Sequence, residues 1–327
     1  MIPYFDAHCD TLYRCLETGE RSPLEYGENR EEQIAYFARC ESLRQNGGHV
    51  DLQRGRRCFS RFGQVFALFH DAAEAPVDGM WAQCNRLHDF FLREMAANSD
   101  LVRHCRNGEE IDAAVALGKC AALLSIEGAD LIECDVAKIE TVASWGVRLM
   151  NPVWNRANVL SGTNLEEPDR GLSDHGHEFI RELYRHHIYP DVSHLSDRGF
   201  WDLIEMAEGP VVASHSNSRA LRPHRRNLTD EQFRAIRDSG GVVGLNFYLS
   251  FVGESSMDAL VDHVEHFLSL GGEKTLCLGG DLDGCEVLAA DMQGMQDVPR
   301  LYEALTARGY DEALLYDLFW NNLRRLF

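Results

Sequence analysis

Near the start of the chain, "DAHCD" places His8 and Asp10 two residues apart, and both are of types that hold metal ions. In a strand, residues i and i+2 project from one face, so this pair could grip a cation side by side. The same types recur downstream, each at the C-terminal end of a short apolar run: Glu127 in "LLSIEGAD", His194 in "DVSHLSD", His215 in "VVASHSNSRAL" and Asp281 in "LGGDLDG". Taken singly, each has a plainer use. Asp10 could cap a helix beginning at "TLYRCL", His194 could donate to a loop carbonyl, His215 could cap a helix near Asn217, and Glu127 could pair with Arg148. Together, at corresponding strand ends, they are poorly explained by separate accidents. Imidazole and carboxylate donors without thiolate suit zinc or a neighbouring first-row ion. The set exceeds what one catalytic zinc needs, so the economical arrangement is two Zn2+: His8 and Asp10 on one ion, His194 and His215 on the other, Glu127 bridging. Two cations about 3.5–4 Å apart can share a water, lower its pKa towards neutrality and polarise the carbonyl it attacks. That is hydrolytic chemistry.

Such a cluster needs a scaffold that brings distant strand ends to one place. Eight strand candidates, at 2–8, 63–69, 120–127, 146–151, 188–194, 210–216, 241–247 and 275–281, alternate with amphipathic segments. Several are continuous apolar runs, as strands covered on both faces should be. Helices are predicted over 80–97, 175–187, 197–207, 230–239 and 256–270, with two more between 297 and 326. The Met80, Trp81, Cys84, Leu87, Phe90, Phe91 and Met95 stripe at helical spacing reads as core. The alternation predicts an α/β fold, a (β/α)8 TIM-like barrel of metal-dependent hydrolase type, whose chemistry sits at the C-terminal mouth. One domain over 1–327 is expected. Residues 14–60 read as polar and partly helical, with a loop at "NGGHVDLQRGRRC", and 155–174 as a long loop of the kind that carries function.

Composition narrows the partners. Of 327 residues, 45% are hydrophobic and 26% charged, ordinary for a globular protein. Lys and Arg number 32 against 52 acidic residues, a formal charge of -20, which disfavours nucleic acid and anionic lipid surfaces. The basic clusters Arg54 to Arg57 and His224 to Asn227 are too short to reverse this, and the first reads as a solvated loop. The ten cysteines form no CxxC pair, and most read as small core residues of a reducing compartment. With no signal-like N-terminus and no run of about 18 apolar residues, a cytoplasmic protein without membrane contact is expected.

The chain resembles the membrane dipeptidase (renal dipeptidase) family of the amidohydrolase superfamily through "DAHCDTL", "SIEGAD", "DVSHLSD", "SHSNSRAL", "RRNLTD" and "GGDLDG" in that family's order, and "NNLRRLF" is similar to its C-terminal segment. The resemblance implies a distorted (β/α)8 barrel, a binuclear zinc site with the ligands as assigned, and hydrolysis of small unblocked dipeptides, including those with a D-residue on the C-terminal side. It implies that Asp281, rather than Asp283, handles protons, and that Arg226 binds the substrate's terminal carboxylate, for which a guanidinium fork is suited. It also implies a homodimer. Trp154 stands where many members carry a substrate-holding histidine, a departure that bears on substrate range. On this resemblance the chain is expected to belong with the soluble bacterial branch, without the anchored members' signal peptide and hydrophobic tail. Two other functions share the sequence features: an amidohydrolase of another small amide, lactam or lactone, and a catalytically silent ligand-binding relative.

Overall fold

Short apolar segments that end in polar residues pair in parallel around a ring. The computed structural model describes residues 1–16 and 40–327. Its strands are β1 (Ile2–Cys9), β2 (Phe59–Phe69), β3 (Val102–His104), β4 (Cys120–Glu127), β5 (Val147–Asn151), β6 (Tyr189–Pro190), β7 (Val212–Ala213), β8 (Val242–Leu245) and β9 (Leu276–Leu278). Neighbours run β6-β5-β4-β2-β1-β9-β8-β7. A parallel bridge between Asp191 and Val212 joins β6 to β7 and completes the ring. All eight predicted strand segments are present. β3 is the addition: it pairs with β4 at Cys120 to Ala122, while β5 joins β4 only from Leu124 onward.

Two hydrophobic clusters follow from the two faces of each strand. Phe5, Ala7, Val65, Leu123, Leu149, Val212, Val242 and Cys277 form one, drawn from around the ring as barrel interiors are. Trp320, Leu323 and Leu326 join it from the C-terminal segment, with Trp320 tilted against Phe5 at 5.1 Å. Intervening residues such as Phe66, Leu68, Leu124, Ile126, Met150, Val243 and Leu245 pack with the surrounding helices.

Helices cover the ring at Met80–Ala97, Gly108–Ala116, Asp174–Arg185, Asp197–Met206, Asp230–Asp238, Met257–Ser269 and Val298–Ala307. Local sequence explains where several begin. Ser173, Ser196 and Ser256 each accept a backbone N–H of the first turn, and Thr229 with Gln232 forms a capping box. Gly108–Ala116 and a short helix at Ile139–Ser144 had no predicted counterpart. The predicted loop around Arg54 to Arg57 is corrected to a helix, Leu52–Cys58. Asp51 caps it, and Arg54 is drawn inward onto Asp51, Gln296 and the Gly48 carbonyl, which the polar composition concealed. The rest of the expected 14–60 region includes residues 17–39, which lie outside the described residues. The segment expected as a loop over 155–174 is one up to Ser173, where the Asp174–Arg185 helix is capped.

At the mouth, β7, β8 and β9 approach so closely that only glycine fits. A Cβ on Gly244 or Gly279 would lie 1.9 or 1.7 Å from the Ser214 carbonyl oxygen. Gly279→Ala should therefore lower the unfolding free energy by about 1–3 kcal/mol, the usual cost of overpacking. Urea denaturation with an unchanged midpoint would contradict this account of the seam.

Candidate metal centre

The strand ends bring Asp10, Glu127, His194, His215 and Asp281 together with His8. His8 Nε2 lies 3.2 Å from Asp10 Oδ2, 3.6 Å from Glu127 Oε2 and 4.0 Å from Asp281 Oδ1. The other Glu127 oxygen faces the opposite way: Oε1 is 2.9 Å from His194 Nε2 and 3.5 Å from His215 Nε2. Each oxygen of one buried carboxylate thus meets a different set of imidazoles. None of the plainer single-residue uses is realised for Glu127, since Arg148 donates to the carbonyls of Arg106, Ala143 and Val147.

The donor chemistry fits divalent cations. His194 Nδ1 is 3.0 Å from Asn155 Oδ1, and His215 Nδ1 is 2.8 Å from Ser214 Oγ. With protons on those nitrogens, both Nε2 atoms present lone pairs, and they face one another at 3.0 Å. Two lone pairs that close repel, and a shared cation removes the repulsion. Asp10 Oδ1 is buried without a hydrogen-bond partner, an acceptor with nothing to accept. His8, Asp10 and Glu127 form one group able to hold an ion, and Glu127, His194 and His215 another.

Electrostatics point the same way. Burial, then the Arg226 and His8 charges, push His194 well below the usual histidine range. Burial, then His8, Arg226 and His194, do the same to His215. Burial also pushes His8 down, but Glu127, Asp10 and Asp281 outweigh it and hold it up at about 10. Burial, followed by the neighbouring Asp10, raises Glu127 well above the carboxylate range, and burial raises Asp281. The acidic groups of the cluster crowd one another, opposed by the His8 and Arg226 charges.

Asp281 and Asp283 both sit in left-handed backbone, φ 56° and 65°, conformations that non-glycine residues hold at a cost. Their side chains diverge. Asp281 Oδ2 accepts from Asn246 Nδ2 at 3.1 Å, while Oδ1 is the atom facing His8. Asp283 is fully buried, accepting from the Thr11 hydroxyl and the His49 N–H, and serves the scaffold.

A cavity of about 300 Å³ opens above the cluster, with Asp10, Glu127, His194 and Asp281 in its lining. Arg226 also lines it. That guanidinium is 4% exposed, donates through Nη2 to His194 Nε2 at 3.0 Å, and has Nη1 buried without a partner. Arg225, its neighbour, is exposed. Trp154 is half-buried in the wall, 4.8 Å from the Phe69 ring and 6.2 Å from the His194 ring. Asn155, Ser214 and Asn246 went unnoticed in the sequence. Asn246 was within reach, because it too ends an apolar strand.

A family model described as Membrane dipeptidase (Peptidase family M19) matches residues 1–327. The chain belongs to that family. A Klebsiella pneumoniae relative, an uncharacterized protein in the pqqA 5' region, is 34% identical over 265 residues, covering 77% of this chain and 96% of its own. A metallopeptidase from Rhodobacter sphaeroides, solved with a phosphinate mimic of the dipeptide L-Ala-D-Ala, superposes with a TM-score of 0.83 at 29% identity, covering 99% of this chain and 98% of that one. The dipeptidase AC structure gives a TM-score of 0.85 at 29% identity, covering 99% and 97%. These likenesses bear out the family resemblance and the TIM-like barrel. Among the described residues no helix is long and apolar enough to cross a membrane.

In metal-free protein, His8 is therefore an imidazolium at pH 8, while His194 and His215 are neutral. The raised His8 pKa stabilises that form fully below about 6.5, the ordinary histidine value, and the contribution is lost as pH rises through about 10. The depressed pair acts oppositely, costing stability as pH falls below about 6.5, where the unfolded chain binds protons that they refuse. NMR should show one ring titrating near pH 10 and two neutral at pH 6. All three titrating together near 6.5 would contradict the geometry.

Proposed function

We propose that this protein is a binuclear zinc dipeptidase acting on small unblocked dipeptides. The observation that carries the reading is the Arg226 guanidinium: buried, with one nitrogen unpartnered, it stands beside the candidate metal ligands in the same small cavity. A fixed cation there selects a substrate whose carboxylate lies within one residue of the bond to be cut. About 300 Å³ is the lower end of ligand pockets, suited to a dipeptide rather than a longer chain. The phosphinate mimic of L-Ala-D-Ala bound by the Rhodobacter sphaeroides relative supports the same substrate class, including a D-residue on the C-terminal side.

His8 and Asp10 would hold one ion, His194 and His215 the other, and Glu127 both, through the two oxygens that face them separately. When bound, the pair supplies Lewis-acid polarisation of the scissile carbonyl and acidifies the attacking water. The remaining steps belong to side chains. Arg226 fixes the terminal carboxylate by charge-assisted hydrogen bonds and so sets the amide over the cluster. Asp281, with Oδ2 held by Asn246, takes the water's proton on Oδ1 and returns it to the departing amine. Trp154 offers an apolar face with a single N–H donor, and with Phe69 it shapes a wall that favours flat or apolar side chains.

A panel of L,L- and L,D-dipeptides and their C-terminal amides, assayed with the zinc-loaded protein, tests this. Free dipeptides should be cleaved and amides left intact, with Arg226→Met losing kcat/KM on dipeptides and Asp281→Asn losing about 10²–10⁴-fold in kcat. Equal cleavage of amides would overturn the carboxylate role, and an active Asp281→Asn the proton role.

A further inference from the structure

Two buried carboxylates stand just upstream of the histidines and outside the cluster. Asp6 and Asp191 are 0% and 1% exposed. A buried carboxylate without a cation is costly unless several hydrogen bonds satisfy it. Here the donors are chiefly those of the strand ends themselves. Asp6 Oδ1 accepts from the His8 N–H (3.0 Å) and Gln64 Nε2 (3.3 Å), and Oδ2 from the Tyr4 hydroxyl (2.9 Å) and the Gly280 N–H (2.9 Å). Asp191 Oδ1 accepts from the Ser193 N–H (3.0 Å), the Ser193 hydroxyl (2.8 Å) and the Ser214 N–H (3.1 Å).

Both residues occupy seams where the ring is thinly paired. β1 and β9 pair at Asp6 and Leu278, and the next bridge joins Cys9 to Leu282; the Gly280 N–H falls between. β6 and β7 meet at the bridge between Asp191 and Val212, and the Ser214 N–H lies just beyond it. In each seam the strand ends diverge to present their side chains, and the carboxylate takes the amide that no ladder carbonyl reaches. From the second seam the network continues inward. Ser193 Oγ accepts the His215 N–H at 3.2 Å, and Ser214 Oγ meets His215 Nδ1.

We propose that Asp6 and Asp191 are a matched pair of positioning residues that stand in for ladder carbonyls. Asp6 fixes the spacing between His8 and Asp281, and Asp191 that between His194 and His215. The functional consequence rests on the metal site proposed above; the hydrogen bonds do not.

The two differ in a way that separates geometry from charge. Asp6 spends both oxygens on backbone amides, so asparagine would turn its NH2 group against one of them. Asp191 gathers its three donors on Oδ1, so asparagine keeps a carbonyl there while valine removes it. The test pairs amide hydrogen exchange on metal-free protein with Zn2+ titration against a chromophoric chelator. Asp6→Asn should speed exchange at His8 or Gly280, whichever amide its NH2 group faces, while leaving Ser214 protected, and weaken Zn2+ binding about 10–100-fold, as loss of an outer hydrogen bond does. Asp191→Val should do the same with Ser214 as the exposed amide, and Asp191→Asn should match wild type in both readouts. Protection retained at both His8 and Gly280 in Asp6→Asn, or an Asp191→Asn as impaired as Asp191→Val, would overturn the proposal. Should Asp6→Asn not fold, the two Asp191 variants decide it. A wild type that binds no Zn2+ would refute the metal site, and the exchange measurement would still decide the positioning role.

Discussion

Glu127 is buried with its two oxygens turned to different imidazoles, and the mouth of the barrel is arranged around that division. On one side stands His8 with Asp10 and Asp281; on the other, His194 with His215. A carboxylate so placed, raised well above its ordinary pKa by burial and by the neighbouring Asp10, is not a stable arrangement by itself. The proposed pair of cations, one on each side, would make it one. The parallel ring makes the arrangement possible, because every strand delivers its C-terminal residue to the same face.

The groups around this centre divide by what they touch. Asn155 and Ser214 fix the ring nitrogens that face away from the cluster. Asn246 fixes one oxygen of Asp281 and leaves the other free. Arg226 is held between His194 and the Phe251 ring, 5.2 Å from its centroid, with Nη1 buried and without a hydrogen-bond partner. Stacking on an aromatic face keeps a buried guanidinium in place without consuming its donors.

Much of this was legible in the sequence, for physical reasons. Strands buried on both faces must be apolar, so a His or Glu that ends such a run is conspicuous. The same logic located all eight strands of the ring and placed Glu127 and Asp10 at the mouth. What stayed hidden was polar structure made by tertiary contact. Arg54 reads as a solvated cation and is instead tied to Asp51 and Gln296 in a helix. β3 is three residues long and exists only because β5 leaves the start of β4 open. Asp6 looks like one more polar residue beside His8 until the Gly280 amide arrives from the far end of the chain.

The bridging role of Glu127 is the claim on which the rest stands, and metal content measures it most directly. Elemental analysis of the zinc-loaded protein, set beside Glu127→Gln, should give two ions per chain in the wild type and a loss at both sites in the variant, because an amide offers one oxygen where the carboxylate offers two. One ion in the wild type, or two retained by the variant, would contradict it.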